Sequence, residues 1–97
     1  MGYRYCVIFE MNPDIPVAEV DEAVEKAAEL IRAIPFVRNH AGGLTVNPNA
    51  TVRRYGVNVE FNSLDDFHAY IAHENHDEAL AAIRPYITNA MNVMLEV

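Results

Sequence analysis

The chain predicts an α+β fold: a four-stranded antiparallel sheet with helices on one face, in the order β-α-β-β-α-α-β, a ferredoxin-like plan whose second crossover is split into two helices. Three observations carry this reading. Stretches alternating with a period of two occur near the start, past the middle and at the end. Stretches with helical periodicity separate them. The breakers Pro13, Pro16, Pro35, Pro48 and Pro85 all fall between the periodic stretches rather than inside them.

The first strand is read as Tyr3 to Glu10, with Tyr3, Tyr5, Val7 and Phe9 on one face and Arg4, Cys6, Ile8 and Glu10 on the other. Asn12-Pro-Asp-Ile-Pro16 ends it, because proline removes a ladder donor. Helix one is expected from Val17 to Ala33, with Val17, Val20, Val24, Ala27, Leu30, Ile31 and Ile34 as its buried stripe. Glu19, Glu22, Glu25 and Glu29 form its solvated face, and Pro35 stops it. A second strand, about Val37 to Val46, contains Gly42-Gly43, which invites a bulge or bend. Asn47-Pro-Asn49 makes a turn into the third strand, Val52 to Phe61, where Tyr55, Val57, Val59 and Phe61 alternate with polar residues or glycine. Ser63 with Asp66 has the spacing of a cap for a short helix, Leu64 to Ala72. Asn75 with Glu78 repeats that spacing, so a third helix starts there and runs to about Arg84. The last strand is Asn89 to Val97, with Met91, Val93, Leu95 and Val97 on one face.

Ninety-seven residues, 52% of them apolar, make one domain, spanning residues 1–97. Helices on one side leave the other sheet face open, and its apolar residues need a cover; a second copy of the chain supplies one, so a homodimer is expected. A net charge of −7, from seven basic against fourteen acidic residues with no basic cluster, argues against nucleic acid and against an anionic membrane surface. No apolar run reaches the length of a membrane span and no signal peptide is recognisable, so a cytoplasmic setting is expected. Cys6, the single cysteine, reads as a buried inert thiol. Asn49-Ala-Thr51 matches a glycosylation triplet without a secretory context.

The chemistry concentrates in Tyr70-Ile-Ala-His-Glu-Asn-His76. A phenol and two imidazoles fall within seven residues, at the junction of two helices. Imidazole titrates near neutrality, and a phenol can hold or protonate a substrate oxygen, so the set can move protons without a cofactor. His76, in the first turn of helix three, is biased toward the neutral base by the helix dipole. His73, at the end of helix two, has the opposite bias and reads as structural or as a pocket neighbour. His68 and His40 carry no partner signal. A metal at His73-x-x-His76 needs further ligands and a continuous helix, neither of which the sequence offers, so none is expected.

The run Tyr70-x-x-His73-x-x-His76 resembles the Tyr-x-x-His-Pro-x-His signature of the stress-responsive dimeric α/β-barrel family, often called Dabb. The likeness extends over most of the chain, through the Tyr5-to-Phe9 strand, Ala33-Ile-Pro-Phe-Val37 and Val59-Glu-Phe-Asn-Ser63. Glu74 stands in place of the usual proline and Phe36 in place of the usual glycine. The resemblance implies two ferredoxin-like units closing into a dimeric barrel. The family includes plant stress proteins, a hydroxynitrile lyase and a polyketide cyclase, olivetolic acid cyclase. In that cyclase the catalytic histidine falls at His76 and its supporting tyrosine at Tyr70, whereas two further polar positions of its pocket hold Tyr5 and Ala27 here.

The function expected from residues and resemblance together is a cofactor-free acid/base catalyst of lyase or cyclase type, acting on a small, largely apolar carbonyl or polyketide-like compound between sheet and helices. His76 and Tyr70 carry the chemistry. Tyr5, Tyr55 and His73 contribute polar lining, and Phe9, Val57, Val59, Leu30 and Ile31 the apolar wall. The alternatives are a non-catalytic dimeric stress-related or ligand-binding protein and, last, an antibiotic-biosynthesis-type monooxygenase sharing the barrel.

Overall fold

The computed structural model describes residues 2–97. Its elements are β1 (Tyr3–Met11), α1 (Val17–Arg32), β2 (Arg38–Leu44), β3 (Arg54–Phe61), α2 (Leu64–Ala72), α3 (Glu74–Ile83), a 3₁₀ turn (Arg84–Tyr86) and β4 (Ile87–Glu96). The strands form one antiparallel sheet in the order β2-β3-β1-β4, the ferredoxin-like α+β arrangement. No helix among the described residues is long and apolar enough to cross a membrane.

Parity along the strands sorts the two faces. On the helix side, Tyr5, Val7 and Phe9 sit between Val59, Val57 and Tyr55 of β3 and Met94, Asn92 and Ala90 of β4. Phe9, Tyr55, Val57 and Val59 build the core with Val20, Val24, Ala27, Ile31 and Ile34 from the α1 side and Tyr70, Ala79 and Ile83 from α2 and α3, and Tyr5 and Val7 pack against it. The stripe of α1 is narrower than its periodicity suggested. Val17 is 55% exposed because it sits at the helix start, and Leu30 is only partly buried at the stripe's edge. The four glutamates of α1 are all exposed.

The opposite sheet face is uncovered and divides into two strips. Between β1 and β3 it is polar, with Arg4–Glu60 at 3.3 Å, Arg54–Glu10 at 3.0 Å, and Asn58 Nδ2 donating to Cys6 Sγ at 3.2 Å. Between β1 and β4 it is apolar: Ile8, Met91, Val93 and Leu95 are 39%, 47%, 51% and 47% exposed. Cys6 is therefore half-buried on this face, not sealed in the core, because its parity opposes that of Tyr5 and Val7.

Two local expectations are corrected. The β2 bulge lies before Gly42-Gly43, between Arg38 and Ala41, where three steps on β2 oppose two on β3. Asn39 takes a positive φ of 50°, which asparagine tolerates, and its amide donates to Glu60 at 3.2 Å. Gly42 instead keeps register with Val57 and leaves room for the His40 ring, whose Nε2 lies 3.2 Å from where a side chain would begin. Asn75 does not cap α3; His73 does, as described below. Ser63 caps α2 as its spacing predicts, its hydroxyl accepting from the Asp66 N–H at 3.1 Å.

Candidate active site

The joint between α2 and α3 positions the site. A single extended residue, His73 (φ −70°, ψ 139°), ends one helix and begins the next. Its N–H donates to the Tyr70 carbonyl, and its own carbonyl accepts from the N–H groups of His76 and Asp77. Its ring Nδ1 accepts from the Asn75 N–H at 3.0 Å, satisfying an orphan donor of the first turn of α3. Asn75 is thereby free to donate through its amide to the Leu30 carbonyl at 3.1 Å, pinning the start of α3 to α1. The His73 ring also stands edge-on to Phe36, 6.2 Å away. His73→Ala is expected to cost about 0.5–2 kcal/mol, the range for losing a helix cap. Urea titration checks this, and a loss of nothing measurable sinks the capping role.

This joint turns Tyr70 and His76 toward each other. Their ring centroids are 4.8 Å apart and the planes lie at 66°. Tyr70 is 3% exposed and is held against Phe61 at 5.1 Å and Tyr5 at 6.3 Å. Both rings stand on the wall of a cavity of about 190 Å³ between the sheet and the helices. Tyr5, Val7, Phe9, Tyr55 and Val57 form its floor, Ala27 and Ile31 of α1 one wall, and Ile71, Ala79, Leu80 and Ile83 the other. The cavity reaches Ala90 and Asn92 of β4, which are exposed, so it opens toward that edge. Among the described residues, no Asp, Glu, Lys or Arg lines it.

The apolar surroundings set the protonation states. Burial lowers the His76 pKa, and the neighbouring Asp77 carboxylate only partly opposes this, so the ring is neutral near pH 7. Burial raises the Tyr70 phenol beyond its ordinary range, with smaller contributions from Tyr5 and Tyr55. Burial pushes Tyr55 up to about 12, against a small opposing effect of Arg32, and raises Tyr5. All three phenols therefore stay protonated donors, beside one neutral imidazole. Nδ1 of His76 and the hydroxyl of Tyr55 are both buried without a hydrogen-bond partner among the described residues.

Of the residues expected at the site, the structure brings together Tyr5, Phe9, Ile31, Tyr55, Val57, Tyr70 and His76. It does not bring in three others. His73 is turned into its capping bond, Val59 is wholly buried on the same sheet face but off the lining, and Leu30 lies off the lining. The β4 contribution, Ala90 and Asn92, was missed. Its signal is the parity opposite to Met91 and Val93, which sequence alone leaves without an assigned side. His40 stands apart, half-buried near the β2 bulge, its Nε2 unpartnered and its pKa lowered by burial and then by Arg32. Among the described residues no group of three or more His, Cys, Asp or Glu side chains is placed to hold a metal ion.

Residues 4–95 match the family model of the stress responsive A/B barrel domain. A comparison with curated proteins gives no match. Among solved structures, the chain is similar to a dimeric protein of unknown function with a ferredoxin-like fold from Bacteroides fragilis, at 26% identity, covering 99% of this chain and 96% of that one with a TM-score of 0.88. A dimeric ferredoxin-like protein of unknown function from Thermobifida fusca is similar at 28% identity, 100% and 92% coverage and a TM-score of 0.86. The hydroxynitrile lyase of Passiflora edulis shares the fold, at 14% identity, 99% and 92% coverage and a TM-score of 0.80.

Proposed function

The chain belongs to the stress-responsive A/B barrel (Dabb) family, and from that premise we propose that it is a cofactor-free acid/base catalyst of lyase or cyclase type. Its substrate is a small, largely apolar carbonyl compound. The observation that carries this reading is the edge-on contact of His76 and Tyr70, 4.8 Å apart, on the wall of an uncharged cavity.

The proposed chemistry follows from the protonation states. Neutral His76 takes a proton from the carbon α to the carbonyl. The bond's electron pair moves onto the carbonyl oxygen, and the Tyr70 hydroxyl donates to that developing enolate. A phenol held protonated by burial is a donor at any pH near neutrality. The enolate then either attacks a second carbonyl of the same molecule, closing a ring, or expels a leaving group from the β carbon. The imidazolium returns its proton to the oxygen or the leaving group. The apolar walls exclude water, which strengthens the hydrogen bond to the oxygen.

The test is exchange of α protons in a small ketone. Acetophenone carrying a deuterated methyl group is incubated with the protein in ordinary water and followed by NMR. Washout well above the buffer rate, removed by His76→Ala, supports the proposal.

One observation favours a second reading, a non-catalytic ligand-binding protein. His76 Nδ1 has no partner, whereas a catalytic base is usually oriented by a third group. Tight binding of the ketone with washout at the buffer rate selects that reading.

We further propose that the protein is a homodimer through the open sheet face, as the apolar strip of Ile8, Met91, Val93 and Leu95 argues. Sedimentation is expected to give twice the chain mass at micromolar concentration, and Val93→Asp, which places a charge on the strip, to give the monomer. A wild-type monomer under those conditions overturns it.

A further inference from the structure

The exposed part of the cavity lining is gathered on one side. Ile71, Ala90 and Asn92 are exposed and Leu80 is half-buried, whereas Phe9, Ala27, Ile31, Tyr55 and Ile83 are buried. Ile71 and Leu80 belong to the helix wall, and Ala90 and Asn92 to β4, an edge strand of the sheet. Among the described residues, β4 packs broadly against β1 and against no helix. Sheet and helices therefore part along β4, and the way into the cavity runs between that strand and the α2–α3 pair.

The β1–β4 register aims two side chains into this gap. Ala90 pairs with Phe9 and Asn92 with Val7, so both share the helix side of the sheet. Their parity is opposite to that of Met91 and Val93, so a second copy seated on the apolar strip leaves them facing the cavity. Ala90 is small and keeps the gap wide. Of the three exposed lining residues, Asn92 is the polar one, and its amide carries two donors and an acceptor without charge. Exposure puts that amide within reach of a molecule in the gap.

Size says which part of a ligand meets it. The volume of about 190 Å³ is slightly more than the roughly 150 Å³ that takes up benzene, so the interior holds about one ring. A longer compound leaves its remainder in the gap. Asn92 stands diagonal to Tyr5 across the register, about 7–8 Å away between backbones. The Tyr5 ring lies 6.3 Å from that of Tyr70. A molecule held at Tyr70 and running out along Tyr5 thus passes Asn92.

We propose that the gap along β4 is the substrate portal and that Asn92 is a specificity-determining residue on its lip. The compound selected has a ring-sized apolar body bearing the carbonyl and an uncharged hydrogen-bonding tail that stays in the portal. This deepens the acid/base reading and rests on it for the place of the carbonyl. The Asn92 amide bonds the tail, so an analogue with an apolar tail of the same shape leaves that bond unmade.

The portal is tested by blocking it. Cys6, the single cysteine, is first replaced by serine, so that Ala90→Cys carries one thiol. Pyrene maleimide on that thiol is expected to weaken acetophenone binding, followed by NMR, at least about tenfold. The same label on Ala18→Cys, exposed on α1 and off the lining, is expected to leave binding unchanged. The lip is tested with para-acetamidoacetophenone and para-isobutylacetophenone, whose tails share a shape but not a hydrogen bond. Asn92→Leu removes the amide at an exposed position and is expected to keep the melting temperature. It is expected to shift the ratio of the two affinities against the acetamido compound by about three- to tenfold, the worth of one hydrogen bond. An unreactive Ala90→Cys thiol, full binding after labelling, an unshifted ratio, or no millimolar binding of acetophenone to the wild type each overturn the inference. Washout of α deuterium is read separately. A protein that passes both binding tests and exchanges nothing loses the base role of His76 while the portal stands. One that exchanges as fast with the label on Ala90→Cys loses the portal while the base role stands.

Discussion

His76→Ala is expected to lower α-proton exchange by about 10²–10⁴-fold, the usual worth of a positioned proton-transfer group. It is expected to change stability by less than about 1.5 kcal/mol, as ordinary substitutions do. The two effects separate for a structural reason. His73, not His76, caps α3, and Asn75 ties that helix to Leu30, so the joint survives the loss of the His76 ring. The ring's packing on Tyr70 is lost, but so is a buried nitrogen without a partner, and these oppose each other. The pH profile of the wild type adds a second readout. Burial disfavours the imidazolium, so the base form is present at neutral pH and is lost only as pH falls below the ordinary imidazole value of about 6.5. Exchange is therefore expected to be flat above neutrality and to drop with a midpoint on the acid side of that value. A midpoint above it, or a His76→Ala protein that is unfolded with exchange per folded molecule intact, removes His76 from the chemistry.

Phe61→Ala is expected to cost about 3–5 kcal/mol, the range for deleting a buried aromatic ring. Phe61 is fully buried at the end of β3, and its ring meets Tyr70 at 5.1 Å and Phe67 at 5.8 Å. The cavity left behind has no side chain free to fill it, since those neighbours belong to one contiguous core. For a domain of this size each kcal/mol moves the melting temperature by about 4–8 °C, so a drop of tens of degrees is expected by calorimetry. A loss below about 1 kcal/mol is outside the range for such a deletion and means that the α2–sheet packing described above is wrong. Tyr70 rests on Phe61, so exchange is expected to fall with the folded fraction.

The element order and the two faces of β1 and β3 were legible because they rest on periodicity. Alternation at Tyr5, Val7 and Phe9 and at Tyr55, Val57, Val59 and Phe61 leaves one arrangement that buries both rows. Ser63 was legible as a cap because Asp66 stands at the spacing its hydroxyl reaches. The pairing of Tyr70 with His76 was visible as a motif, since both lie within one turn of the joint. What remained open were matters of direction and depth. The spacing of Asn75 and Glu78 pointed to Asn75 as the cap of α3, and the structure gives that place to His73. The extended backbone at His73 sets its ring where it accepts from the Asn75 N–H. Leu30 and Ile31 share a helical stripe, and only the position of α3 makes one a cavity wall and the other an edge residue. Ala90 and Asn92 joined the site, rather than Met91 and Val93, because the β1–β4 register sets which row of β4 faces the helices. The bulge fell at Asn39 rather than at the glycines because Gly42 and Gly43 kept their register with β3, which local propensity does not foresee. Composition and periodicity thus determined the fold, the open apolar face and the reactive motif, all of which depend on which residues are apolar and how they are spaced. Tertiary packing alone decided which polar groups were left buried without partners, because a missing hydrogen bond is a property of every neighbour at once.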